Sequence, residues 1–157
     1  MPDVTLVQRI SAWPWPWTEA VAIAFAFAWG AIIGSFLNVV VHRVPRGLSV
    51  VVGRSRCPAC GTPIRPFDNV PVLGWLWLGG RCRDCRSPIA GAYPAVEATC
   101  GLLVAAVAAV DLVRGGGLDR ALFQGDWRPV FSWAWHSALL LALLAWALLM
   151  RAGRTEP

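Results

Sequence analysis

Lysine is missing from the sequence altogether, so all 14 basic residues are arginines. A lysine nucleophile or Schiff base is thereby excluded. Charge of either sign is scarce: 15% of the 157 residues are charged, and the formal net charge is +5. A disordered tail or a nucleic-acid-binding arm would need more, so no nucleic-acid partner is expected. There is one tyrosine, but there are ten tryptophans. With 57% hydrophobic residues and a mean hydropathy of +0.55, the composition argues against a soluble enzyme and for lipid as solvent.

Three apolar runs carry the architecture. Residues 20–41 hold no charge and would make a helix of about 33 Å, enough to cross a hydrocarbon core of about 30 Å. A signal peptide is the rival reading, opposed by the length of the run, its lack of a basic leader and the His-Arg-Val-Pro-Arg-Gly that ends it. Residues 92–110, with Glu97 inside, and 130–150, with His136 inside, are the second and third spans. Between His42 and Gly91 lie eight arginines against Asp68 and Asp84, whereas residues 111–128 balance three arginines with three aspartates. Arginine-rich loops stay in the cytoplasm. The expected order is therefore an extracytoplasmic segment 1–19, span 20–41, a cytoplasmic loop 42–91, span 92–110, an outer loop 111–129, span 130–150 and a cytoplasmic tail 151–157. Trp13, Trp15 and Trp17 would form an outer interfacial belt. No internal repeat is expected, and Gly115–Gly117 reads as a turn.

The strongest local signal lies in the long loop. Cys57-Pro58-Ala59-Cys60 and Cys82-Arg83-Asp84-Cys85 are two CxxC knuckles, and two such pairs complete a tetrahedral four-sulfur shell of the kind that holds structural Zn2+. Gly61 and the flanking Arg56, Arg81, Arg83 and Arg86 favour tight turns and thiolates. Redox chemistry on a CxxC and unliganded cysteines are the competing readings. A closed four-sulfur site has no open position, so its role would be to shape the loop. Cys100, in the second span, reads as a small packed hydrophobe.

Gly30, Gly34, Asn38 and His42 recur every four residues and form one helical stripe. The two glycines allow a second helix to approach closely, as simple packing or as part of a contact face. Asn38 and Glu97 lie at similar depths and could meet; Glu97 reads either as a functional carboxyl or as a structural hydrogen bonder. His136 reads as an interhelical hydrogen bonder. Asp68-Asn69-Val70-Pro71 leads into an apolar run, 72–80, too short to span. Its tryptophans, two residues apart, suit a strand or loop dipping into the headgroups, or else an apolar core for the zinc loop.

Taken together, the end of the first span (Gly-Ser-Phe-Leu-Asn-Val-Val-Val-His-Arg-Val-Pro-Arg-Gly), the knuckles, the Asp-Asn-Val-Pro segment and Ala92-Tyr93-Pro94-Ala95-Val96-Glu97 resemble the N-terminal domain of type IV prepilin peptidases. The resemblance covers about residues 30–100. It implies a polytopic membrane protein with Zn2+ on Cys57, Cys60, Cys82 and Cys85. It implies methyl transfer from S-adenosylmethionine, or docking of a type IV prepilin-like substrate, at Gly80, Asp68, Asn69 and Glu97, with Asn38 added from the stripe. The family's proteolysis uses two membrane-surface aspartates; Met150 takes the place of the first, with Pro157 matching the proline after it, and Asp111, Asp119 and Asp126 fall on the opposite face. Ala92 stands where the family tends to carry arginine.

The expectation is an all-α membrane protein: three transmembrane helices, a cytoplasmic four-cysteine loop between the first and second, and no peptidase activity of its own. It would help process prepilin-like proteins together with a separate chain carrying the aspartyl half. A non-enzymatic zinc-loop adaptor or degenerate remnant, and a membrane thiol oxidoreductase, are the alternatives.

Overall fold

The computed structural model describes residues 16–53 and 55–154. Trp13, Trp15, Arg54 and Pro157 lie outside them. The described residues form α1 (Pro16–Arg43), a 3-10 turn (Pro66–Asn69), α2 (Leu73–Trp77), α3 (Ala92–Ala108) continued by a π turn (Ala109–Val113), α4 (Gly117–Gln124) and α5 (Arg128–Ala152). Among the described residues three helices are long and apolar enough to cross a membrane: Trp17–Arg43, Ala92–Val113 and Arg128–Ala152. Among the described residues there is no strand, only two isolated bridges, Arg56 to Pro63 and Arg81 to Pro88.

The antiparallel pair of α1 and α3 forms the centre, and glycine makes it close. A Cβ on Gly30 would stand 2.5 Å from the Cys100 carbonyl oxygen, and one on Gly34 would stand 2.8 Å from Glu97 Cα. The backbones therefore touch along the stripe, and packing there replaces the hydrophobic drive that lipid cannot supply. Cys100 is fully buried in this seam, as a packed hydrophobe should be. Farther along, Ala26, Val104, Ala108 and Leu112 form a small core capped by Leu118, Val130, Trp133 and Leu141.

The third long helix, α5, is held mainly near its start. Pro129 occupies its first turn, where a missing N–H costs nothing. Trp133 Nε1 donates to Val104 O at 3.3 Å, while His136 Nδ1 stands 2.8 Å from Asp111 Oδ2, which also accepts from the Ser132 hydroxyl at 3.1 Å. His136 thus bridges helices, as expected. Along the rest of α5, Trp135, Leu143 and Trp146 face outward, the apolar surface that lipid solvates. Trp17 is exposed at the other end of α1. The connection between α3 and α5 is not plain loop: α4 occupies it, entered and left through left-handed Gly116 and Gly125.

Two expectations for the long loop are corrected. Residues 72–80 do not form a strand; the run begins with the five-residue helix α2. Gly74 packs directly on the Asp68 carbonyl, so that the helix folds back over the 3-10 turn, and Leu73, Leu76 and Trp77 are left exposed.

The loop also contains an internal repeat. Ser55–Ile64 and Gly80–Ile89 superpose in their bonding: Cys57 N–H to Thr62 O matches Cys82 N–H to Ser87 O, and Ile64 N–H to Ser55 O matches Ile89 N–H to Gly80 O. Arginine, both cysteines, proline and isoleucine are shared between the two segments. The five shared positions are the second, third, sixth, ninth and tenth of each segment, and the other five differ.

Candidate metal centre and the cleft beside it

Each knuckle is a hydrogen-bonded turn that aims two thiols inward. After the first, Gly61 takes a left-handed φ of 71°; at the equivalent place after the second, Arg86 takes 60°. Glycine adopts that region freely and arginine does not. The four sulfurs of Cys57, Cys60, Cys82 and Cys85 all lie within 4.8 Å of one another, and Cys57 Sγ and Cys85 Sγ are 3.7 Å apart. Sulfurs held about 2.3 Å from a tetrahedral zinc ion stand about 3.8 Å from each other. The donor set and its spacing therefore fit Zn2+, and one thiol of each knuckle, Cys57 and Cys82, is buried while the other is exposed.

The protonation pattern agrees. Hydrogen bonds with Thr62 draw the Cys60 thiol down to about 6, and backbone hydrogen bonds from Cys85 and Asp84 lower that of Cys82. At Cys85 a backbone hydrogen bond with Ser87 pulls downward, but desolvation and the neighbouring thiols outweigh it and push the group up to about 12. In each knuckle one thiol, Cys60 or Cys82, is thus favoured as thiolate by its hydrogen bonds, the form that binds a metal ion.

Arg83 ties this centre to the 3-10 turn. Its guanidinium donates twice to the Asp68 carboxylate, at 2.8 and 2.5 Å, and lies 5.5 Å from the Phe67 ring centroid. Those hydrogen bonds hold the Asp68 carboxyl below the usual carboxylate range.

A cleft of about 920 Å³ opens between the end of α1, the start of α3 and the knuckles. It is lined by Asn38, Asp68, Asn69 and Glu97 together with Cys57 and Cys82. Four of the five residues singled out from sequence thus share one cavity wall. Asn38 and Glu97, however, do not bond to each other. Asn38 Nδ2 donates to Tyr93 O at 3.1 Å, and Glu97 Oε2 accepts from the Val72 backbone N–H at 2.7 Å. The reason lies in α2, whose first residues have no capping side chain, so an orphan N–H takes the carboxylate instead. Val72 pays for this with a φ of 61°, a genuine outlier for a β-branched residue.

Sequence reasoning missed Val72. The signal that could have found it is the absence of Ser, Thr, Asp or Asn just before the helix.

Gly80 stands behind the cleft wall rather than in it. Its φ is 66°, and a Cβ there would meet the Trp75 ring at 2.7 Å. Trp75 lines the cleft and donates through Nε1 to Ile89 O at 3.0 Å. Gly80 is therefore the seat of a cleft-lining indole. Met150 lies in the last turns of α5; Asp111 is in the π turn that ends α3, Asp119 in α4 and Asp126 between α4 and α5.

The profile of the Bacterial Peptidase A24 N-terminal domain matches residues 28–110, just over half of the chain. The chain belongs to this family. Among curated proteins, A24 relatives named prepilin leader peptidase/N-methyltransferase are similar to it. That of Aeromonas hydrophila is 42% identical over 115 residues, covering 58% of this chain and 39% of the relative. The Myxococcus xanthus protein is 53% identical over 74 residues, 47% of this chain and 22% of the relative. That of Stutzerimonas stutzeri is 33% identical over 143 residues, 76% and 42%. The chain thus spans about two fifths or less of the length of these relatives. No solved structure matches it significantly. The A24 match encloses both knuckles and the cleft, and with three membrane-spanning helices the chain is a multi-pass membrane protein.

Proposed function

We propose that this chain is the substrate-docking and methyl-transfer part of a prepilin-processing system, built around a cleft that a structural zinc ion braces. The observation that carries this reading is the convergence of Asn38, Asp68, Asn69 and Glu97 on one cavity beside the four sulfurs. Zn2+ on Cys57, Cys60, Cys82 and Cys85 would hold the two knuckles as one wall. S-adenosylmethionine, when bound, supplies the methyl group. Asp68 is committed to Arg83 and Glu97 to Val72, so both act by shaping the cleft. Asn38 joins α1 to the first turn of α3 at the cavity floor.

The excess of arginine between His42 and Gly91 supports a cytoplasmic loop in the cell membrane, with the N-terminus outside and the C-terminus inside. The substrate is then a type IV prepilin-like protein in the same membrane. A chain carrying an aspartyl peptidase half, co-purifying with this one, would supply the proteolytic step. The test is transfer of labelled methyl from S-adenosylmethionine to the N-terminus of a mature pilin-type peptide, with and without that partner. Transfer that is lost on zinc removal is expected. No transfer in either case would leave a zinc-loop adaptor as the better account.

A further inference from the structure

We propose that the turn after α1, residues 48–53, is a membrane-inserting foot that seats Leu48, Val51 and Val52 among the headgroups and upper methylenes of an anionic bilayer surface. Val51 and Val52 are 88% and 75% exposed, and Leu48 is 53% exposed. Val51 and Val52 belong to no core, and withdrawing such apolar side chains from water is favourable.

The turn is also built to leave water. Arg43 donates to Ser49 O, Val52 O and Gly53 O at 2.9, 3.0 and 3.2 Å, and Ser49 Oγ accepts from Val51 N–H and Val52 N–H at 3.3 and 3.2 Å. These bonds satisfy part of the turn's backbone from within, which lowers the cost of entering the headgroup layer, where water still reaches the remaining groups. The turn begins a few residues beyond the end of a membrane-spanning helix, so its height is that of the interface. In sequence the turn is flanked by Arg43, Arg46 and Arg54 with no acidic residue between them, a charge pattern complementary to anionic lipid. A protein partner is disfavoured by size, since three small side chains cover far less than the roughly 800 Å² per side of a stable interface. With Leu73, Leu76 and Trp77 exposed on α2, this foot would give the knuckles a second point of attachment and hold the cleft against the headgroups.

The test uses the zinc-loaded full chain in nanodiscs containing phosphatidylglycerol. Azidophenylalanine is placed at Val51 and coupled to an environment-sensitive fluorophore; the same probe at Ala59, exposed on the first knuckle, is the aqueous reference. Lipid carrying a quencher near the headgroup end of its chain should quench the Val51 probe about threefold more than aqueous iodide does, with the order reversed at Ala59. Iodide quenching at Val51 equal to that at Ala59 would overturn the proposal. So would access by neither quencher, which would mean a protein cover. If the Val51 derivative fails to load zinc, the probe at Val52 gives the same readout. Methyl transfer plays no part in this measurement, so its failure leaves the processing reading standing.

Discussion

Asp68 and Arg83 are joined by two parallel hydrogen bonds, and this fork fastens the segment between the knuckles to the second knuckle itself. The Asp68 side chain is 5% exposed and that of Arg83 40%, so water reaches the guanidinium but scarcely the carboxylate. Asp68→Asn keeps the shape and removes the charge. Zinc transfer to a chelator should then accelerate on the order of tenfold, the usual penalty for losing an outer support of a metal site. The Asp68 carboxyl is depressed in the folded chain, so its contribution is present above about 3.9, the unfolded value, and is lost as pH falls through the lower folded one. Zinc loss between pH 7 and about 4.5 should therefore show the same pH profile in the variant and the parent, because thiolate protonation governs that range.

Arg86 occupies the position where the first knuckle has Gly61, at a φ that glycine tolerates and arginine does not. Arg86→Gly should raise stability by about 1 kcal/mol, read as a higher thermal midpoint of the zinc-loaded chain. Gly61→Arg should lower it by a similar amount.

The α1–α3 seam leaves no room at Gly34, where a Cβ would press on Glu97 Cα and Cys100 Cβ. Gly34→Val should cost about 1–3 kcal/mol, measured by steric trapping in bilayers. Gly91→Ala is the control, because nothing lies within 4 Å of a Cβ there. Equal behaviour of the two variants would mean that the helices do not pack as described.

Gly80→Ala forces Trp75 from its seat and asks alanine to take a left-handed conformation. The expected result is loss of methyl transfer with zinc retained, since Gly80 seats the indole, while to the second knuckle it contributes only the carbonyl that accepts from Ile89 N–H. Retained transfer in a correctly folded Gly80→Ala chain would remove Trp75 from the account of the cleft.

The sequence made the long-range design legible where chemistry imposes a rigid pattern. The uncharged run 20–41 and the paired CxxC motifs announce a span and a metal site because neither lipid nor zinc tolerates substitutes. The glycine stripe likewise announced the helix contact. What could not be read is how Asn38 and Glu97 are shared out. That depends on whether the Val72 N–H finds a cap, and the answer lies 25 residues away in the chain. The knuckle repeat escaped for a related reason: backbone hydrogen bonds define it, and only half of its positions keep their residues. The short helix α2 was hidden by its size, since five residues show no periodicity.

X-ray absorption at the zinc edge of the purified chain, combined with elemental analysis, tests the metal-braced cleft most directly. One zinc per chain, ringed by four sulfurs at about 2.3 Å, is the predicted result. A chain purified without chelators that carries no zinc, or a metal shell built from nitrogen and oxygen, would contradict it.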